Sequence, residues 1–228
     1  MVLGLTPGDS VLVISPHLDD DALGAGGTIA RLTVDGIDVH VLTVACRTHP
    51  GSDPKTRMAE FDEACTVLGV TSHHTAWVDT DGATNPGARM AELVHLIEAG
   101  PRLSLRQLRP TGLLIPAAGS FHQDHQAVHT AAIAAARPSA YAPRIVLGYV
   151  GPEDTAWAQH GPPARRPVAV DTSGVWETKV KALTCYSSQL REAPHPRSLA
   201  TIRAMDTAAG SSVGTAMAEL LTVYRLVA

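Results

Sequence analysis

The sequence predicts a single-domain α/β protein: a mostly parallel sheet flanked by helices, with its site at the carboxyl ends of the strands. Three observations predict it. Short β-branched runs alternate with helically spaced segments of about 10–15 residues, the pattern of strand–helix–strand units. The chain is 228 residues long with no internal repeat, low-complexity tract or long linker, so residues 1–228 form one domain. Its two most polar knots each follow a strand, and ligands of open α/β sheets bind in the crevice beyond the strand ends.

Each element has its own signal. Ser10–Ser15 (SVLVIS) is a β-branched run stopped by Pro16, a buried strand. After the polar stretch HLDDD, the small-residue segment ALGAGGTIARLTVDG has helical spacing and stops at Gly36. Asp38–Ala45 is a second strand. Pro54–Leu68 is a helix with apolar Phe61, Ala64, Cys65 and Leu68 and a terminating Gly69, and a short third strand lies within His74–Val78. Arg89–Ala99 is helical up to Gly100-Pro101, and Leu103–Leu108 is a second short piece. Gly112–Ile115 is a strand, His125–Ala136 a helix and Arg144–Val150 another strand. The prolines and glycines of residues 151–167 predict a loop. Pro167–Val170 is extended, Val175–Ser187 helical, and Ala216–Leu226 is apolar enough for a closing strand or helix.

Composition narrows the function. With 45% hydrophobic and 18% charged residues the chain is an ordinary globule. A net charge of -4 and 4% aromatics speak against nucleic-acid partners, which need basic surfaces and stacking platforms. No apolar run reaches the length of a membrane span. The amino terminus lacks the basic and apolar regions of a secretory signal, and three cysteines without CxxC spacing suit reduced thiols, so a cytoplasmic protein is expected. The unusual component is histidine, at 11 residues, a common metal ligand and proton carrier.

The first knot holds His17, Asp19, Asp20 and Asp21 behind the first strand. Three adjacent carboxylates repel one another unless a cation compensates them. Taken alone, they could also cap a helix and complement its dipole. The second knot, His122-Gln-Asp124-His125, could likewise be a helix start capped by Asp124. Two such knots at equivalent ends of two strands favour a metal over capping. His17, Asp20 and His125 supply three N/O ligands, the number expected of a catalytic zinc site with a position left for water. Asp19 is then free to act as base toward the activated water. His122, two residues from Asp124, could be held charged by it and aimed at a developing oxyanion. The residues thus predict metal-assisted hydrolysis of an acyl group.

Pro16-His17-Leu18-Asp19-Asp20 resembles the PHxDD signature, and His122-Gln-Asp124-His125 the HxDH signature, of the LmbE-like, or PIG-L, zinc-dependent N-deacetylases. The resemblance runs through most of the chain. It takes in Gly26-Gly27, the RxxE helix of Arg57 and Glu60 with Ala64 and Leu68-Gly69, Asp81-Gly82, Arg109-Pro110, the stretch Lys181–Gln189 and Ala218-Glu219. It implies a Rossmann-like fold and one zinc held by His17, Asp20 and His125. Asp19 would be general base, His122 would stabilise the oxyanion, and Asp124 would hold His122. The substrate it implies is a small N-acetylated amino sugar or glycoconjugate, and Asp19 or His122 would protonate the leaving nitrogen. The sequence departs from the family pattern at Leu18, at Asp21, where Glu is usual, and at Tyr186, where His is frequent.

Other positions carry weaker signals. Arg57 could clamp substrate or pair with Glu60 at i,i+3; Asp81 could bind a sugar hydroxyl or begin an Asp-Gly turn. His129 could back the metal site or pack locally, while His49, His160 and His195 fall in loops. GAGG lacks the GxGxxG spacing of a dinucleotide site, and close helix packing explains it better. The alternatives to an N-deacetylase are an amidase cleaving a larger acyl group from a thiol or sugar conjugate, a non-catalytic metal- or sugar-binding protein, and a two-metal phosphoesterase. A homo-oligomer is left open.

Overall fold

A computed structural model describes residues 2–47, 53–78, 85–157 and 168–227. Seven strands form one sheet: β1 (Ser10–Ser15), β2 (Asp38–Cys46), β3 (Ser72–Val78), β4 (Gly112–Pro116), β5 (Ile145–Tyr149), β6 (Val168–Asp171) and β7 (Ala218–Leu226). Their order is β3-β2-β1-β4-β5-β7-β6. The first five are parallel, and β7 runs antiparallel to both β5 and β6.

The helices are α1 (Asp20–Val34), α2 (Pro54–Leu68), α3 (Met90–Ala99), α4 (Leu105–Leu108), α5 (Gln123–Ala135), α6 (Pro152–Trp157), α7 (Trp176–Cys185) and α8 (Leu199–Val213). They cover both faces. Along β1, Val11 and Val13 pack with residues of α1, α2 and α7, whereas Leu12 and Ile14 pack with residues of α3 and α5. This two-sided burial explains why β1 reads as an unbroken apolar run rather than an alternating one. Among the described residues, no helix is long and apolar enough to cross a membrane.

The sheet forms largely where the sequence predicts it, and the differences have local causes. The expected loop at 151–167 begins with α6, because Pro152 sits where a helix tolerates a missing N–H and acidic residues occupy its first turn. Residues 158–167 lie outside the described part. The segment Leu199–Val213 shows no strong apolar periodicity, yet it is helical, capped by the Ser198 side chain and ended by left-handed Gly214. Ala218–Leu226 resolves as a strand, pairing on both edges.

The strand order reverses at β1. Its neighbours are β2 and β4, so the chain leaves in opposite directions on the two sides and a crevice opens above the β1 and β4 ends. The loops after β1, β2, β4 and β5 converge there.

Candidate active site

The loop after β1 is shaped by Ser15. Its hydroxyl donates to the His17 carbonyl at 2.6 Å and accepts from the Asp21 N–H at 3.1 Å, folding the chain back before α1 begins. Asp19 occupies the N-cap position of α1 but makes no capping bond. Its carboxylate instead accepts from Arg57 Nη2 at 3.2 Å on one oxygen and Arg197 Nη1 at 3.4 Å on the other. Helix capping therefore does not account for this acid.

Asp20 is the meeting point of the two knots. Its Oδ2 lies 3.0 Å from His17 Nδ1 and 3.1 Å from His125 Nε2. The ligand atoms that His17, Asp20 and His125 offer fall within 4.8 Å of one another, a donor set of two imidazoles and one carboxylate. Each imidazole is backed by a further carboxylate: His17 Nε2 lies 2.9 Å from Asp124 Oδ2, and His125 Nδ1 lies 3.7 Å from Asp154 Oδ2. Carboxylates behind the far ring nitrogens are the usual way of fixing the orientation of metal-binding histidines.

The electrostatics point the same way. Burial pulls the His125 pKa down, but Asp20 and Asp154 outweigh it and lift it to about 10. His17 is likewise raised, by Asp124 and Asp20 against burial. Burial opposes ionisation of Asp20, yet the two histidines hold its pKa well below the usual carboxylate range. These carboxylates demand positive charge between them, and the N/N/O donor set is one that zinc accepts. The residues present fit a divalent cation.

His122 caps α5, its Nδ1 accepting from the Asp124 N–H at 3.2 Å. This corrects two expectations. The cap is His122 rather than Asp124, and the Asp124 carboxylate faces His17 and Arg47 instead of His122. A lone pair on Nδ1 leaves the ring proton of the neutral form on Nε2. Burial, with His17 and His125 nearby, pushes the His122 pKa down to about 4, so no charged imidazole is held there.

A cavity of about 370 Å³ opens over these groups, walled by Asp19, Arg47, Arg57, Phe121, Glu153 and Arg197 among others. Arg57 and Glu60 are both buried and do not pair with each other; Glu60 accepts from Ser187 Oγ and from the N–H and Oγ of Ser188. The RxxE helix thus joins Asp19 on one side to the carboxy-terminal segment on the other. His129 packs locally, with Nδ1 on the Pro116 carbonyl at 2.9 Å and its ring against Tyr224. Tyr186 is buried in the core with its hydroxyl unbonded. His195 packs edge-on against Trp157. Asp81, His49 and His160 lie outside the described residues.

Three site residues escape sequence reasoning. Arg47 follows β2, Asp154 is the third residue of α6, and Arg197 precedes α8. None sits in a motif. Position at a strand end is the one available signal for Arg47, and the predicted loop hides Asp154.

Known proteins resemble this one across the fold and the site. A conserved protein of Thermus thermophilus superposes with a TM-score of 0.73 at 25% identity, covering 96% of both chains. The N,N'-diacetylchitobiose deacetylase of Pyrococcus horikoshii superposes at 0.70 with 20% identity, over 94% of this chain and 83% of that one, a likeness of fold. In sequence, the 1D-myo-inositol 2-acetamido-2-deoxy-alpha-D-glucopyranoside deacetylase of Rhodococcus erythropolis is 28% identical over 58% of this chain. The chain spans about half the length of that relative, 55%. The family model PIG-L, described as GlcNAc-PI de-N-acetylase, matches residues 12–136, more than half the chain and both His/Asp knots. With the fold, the paired knots and this match in agreement, the chain belongs to the PIG-L family.

Proposed function

We propose that the protein is a cytoplasmic, zinc-dependent N-deacetylase that removes the acetyl group of a small N-acetylated amino sugar or glycoconjugate. The observation that carries the reading is the convergence of His17 Nδ1 and His125 Nε2 on Asp20 Oδ2, with Asp19 beside them on the cavity wall. The names of the relatives favour amino-sugar substrates, and three free cysteines suit a reducing compartment. Bound by His17, Asp20 and His125, a divalent cation supplies Lewis-acid polarisation and lowers the pKa of a water it holds to about 7.

The residues of the chain do the rest. Asp19, its carboxylate held by Arg57 and Arg197, takes the proton of the attacking water as the C–O bond forms. His122, neutral with its proton on Nε2, donates to the oxyanion of the tetrahedral intermediate. Asp19 then returns the proton to the leaving nitrogen as the C–N bond breaks, yielding acetate and a free amine. Burial disfavours a charged His122, which suits donation to the oxyanion rather than transfer of a proton to the amine. Asp124 and Asp154 hold the two ligand imidazoles from behind.

The test is metal content and acetate release from a panel of N-acetylated amino sugars, with wild type, Asp19→Asn and His125→Ala compared. The reading expects about one metal per chain, lost in His125→Ala, and turnover lost in Asp19→Asn with metal retained. Turnover unchanged by Asp19→Asn removes this residue from the mechanism; a chain that takes up no metal removes the hydrolase.

A further inference from the structure

The cavity over the His/Asp groups measures about 370 Å³, near the low end of the roughly 300–1,000 Å³ usual for ligand pockets. Such a space suits a single acetamido sugar, and a group attached to that sugar extends past the mouth. A run of rings marks one way out. The Phe121 ring lies 6.3 Å between centroids from His122, Trp157 lies 5.7 Å from Phe121, and His195 lies 5.6 Å from Trp157, edge-on. Phe121 lines the cavity, and so does Glu153 of α6. Trp157 ends that helix at 54% exposure, the only exposed Trp, Tyr or Phe among the described residues.

A single exposed apolar residue needs no explanation by itself. Two observations set Trp157 apart. Phe121 and His195 hold its indole from two sides, so the exposed surface is fixed and little conformational freedom is left to lose on contact. His195 is itself tied down, its Nδ1 accepting from the Arg197 N–H at 3.0 Å. Polar groups also gather on the same stretch of wall. Glu153 precedes Trp157 by four residues, on the same side of α6, and Arg197 follows His195 by two. Arg197 Nε lies 3.0 Å from Glu153 Oε1, its Nη1 lies 3.4 Å from Gln189 Oε1, and all three side chains line the cavity. An aromatic face bordered by a carboxylate, an amide and a guanidinium matches the chemistry of a sugar ring. The C–H face of a pyranose presents weakly positive hydrogens to the negative face of an indole, while the hydroxyls at its edge reach donors and acceptors.

We propose that Trp157, backed by Phe121 and His195, is a stacking platform for a second ring of the substrate, a pyranose or other polyhydroxylated ring joined to the acetamido sugar. It sets a preference for two-ring over one-ring substrates. The proposal rests on the deacetylase reading of the cavity beneath it. Trp157 takes no part in the chemistry and holds the far ring while the acetamide lies over the His/Asp groups.

Substrate selectivity tests it. The kcat/KM for acetate release is measured with N-acetylglucosamine and with N,N'-diacetylchitobiose on zinc-loaded wild type, Trp157→Ala and Trp157→Phe, with circular dichroism to certify folding. Either ring of the disaccharide can present its acetamide, so both linkage directions are sampled. Wild type favours the disaccharide. Trp157→Ala lowers the disaccharide-to-monosaccharide ratio by about 10-fold, the order of one ring-on-ring contact, and Trp157→Phe keeps most of it. A ratio that Trp157→Ala leaves in place overturns the proposal, as does a wild type indifferent to the second ring. So does a Trp157→Ala protein that changes oligomeric state in sedimentation and slows on both compounds equally, which assigns the indole to a contact between copies of the chain. A wild type that releases acetate from neither compound refutes the deacetylase reading instead. The platform is then judged by saturation-transfer NMR of the same two sugars, where disaccharide binding lost in Trp157→Ala supports it and equal signals in both proteins overturn it.

Discussion

Lys179→Met tests how the carboxy-terminal segment is joined to α1. Lys179 is 1% exposed, with its ammonium 2.6 Å from Asp206 Oδ2 and 2.8 Å from Glu219 Oε1. Methionine keeps the apolar stem and removes the charge. Glu219 then retains three donors, the N–H groups of Gly27 and Thr28 and the Thr28 hydroxyl, at 2.8, 2.7 and 2.6 Å. Asp206 loses the ammonium with nothing in its place. Breaking a buried ion pair from one side costs about 3–5 kcal/mol. Because Glu219 stays bonded and Asp206 is 12% exposed, the lower end applies, about 3 kcal/mol at pH 8. For a chain of 228 residues that lowers Tm by roughly 6–12 °C.

The pH dependence gives a second constraint. Burial already lifts the Asp206 pKa to about 6 against the pull of Lys179, and the variant removes that pull. A carboxyl whose folded pKa lies above its unfolded value keeps its proton in the folded state longer, so stability falls as pH rises from about 4 through the folded pKa. The deficit of the variant is therefore larger at pH 8 than at pH 5.5, where Asp206 takes up a proton. Urea unfolding of both proteins at the two pH values measures it. A loss below about 1 kcal/mol at pH 8, or a deficit that grows on acidification, refutes the reasoning.

Other outcomes follow from the site and its supports. Asp154→Asn weakens metal binding about 10–100-fold, because His125 Nδ1 loses its carboxylate, and competition with a chromophoric chelator measures it. Asp19→Asn retains metal and loses turnover, read by acetate release against metal content. Gly24→Ala lowers stability by about 1–3 kcal/mol in thermal melts despite alanine's higher helix propensity, since an added Cβ would collide with the Tyr149 ring. A Gly24→Ala protein as stable as wild type contradicts that close approach.

How much of the molecule is legible in the sequence depends on the range of the interaction. β1, β2, β4 and α2 are legible because their signals are local: β-branched runs, a proline stop, a glycine terminator. Both knots are legible because each lies within a few residues beyond a strand. The partners of Asp19 are not, since Arg57 and Arg197 are 38 and 178 residues away and only the fold brings them together. The role of Asp124 eludes sequence reading for a related reason. Proximity in sequence suggests His122, but the helical turn sends the carboxylate toward His17 and leaves only the backbone N–H for His122. Helix α8 hides behind weak periodicity, its burial confined to Ile202, Asp206 and Gly210.

The bond from Glu219 to the backbone of Gly27 and Thr28 has a consequence for the order in which the molecule is made. Gly27 has no side chain, and a Cβ there would strike Thr172. That bareness lets a carboxylate 192 residues later reach the middle of α1. A ribosome therefore releases His17, Asp19 and Asp20 long before the residue that clamps their helix exists. Until Glu219 emerges, α1 lacks this anchor on its small-residue face. The helix that follows the first His/Asp knot thus gains one of its anchors only from the last strand, when almost all of the described chain has been synthesised.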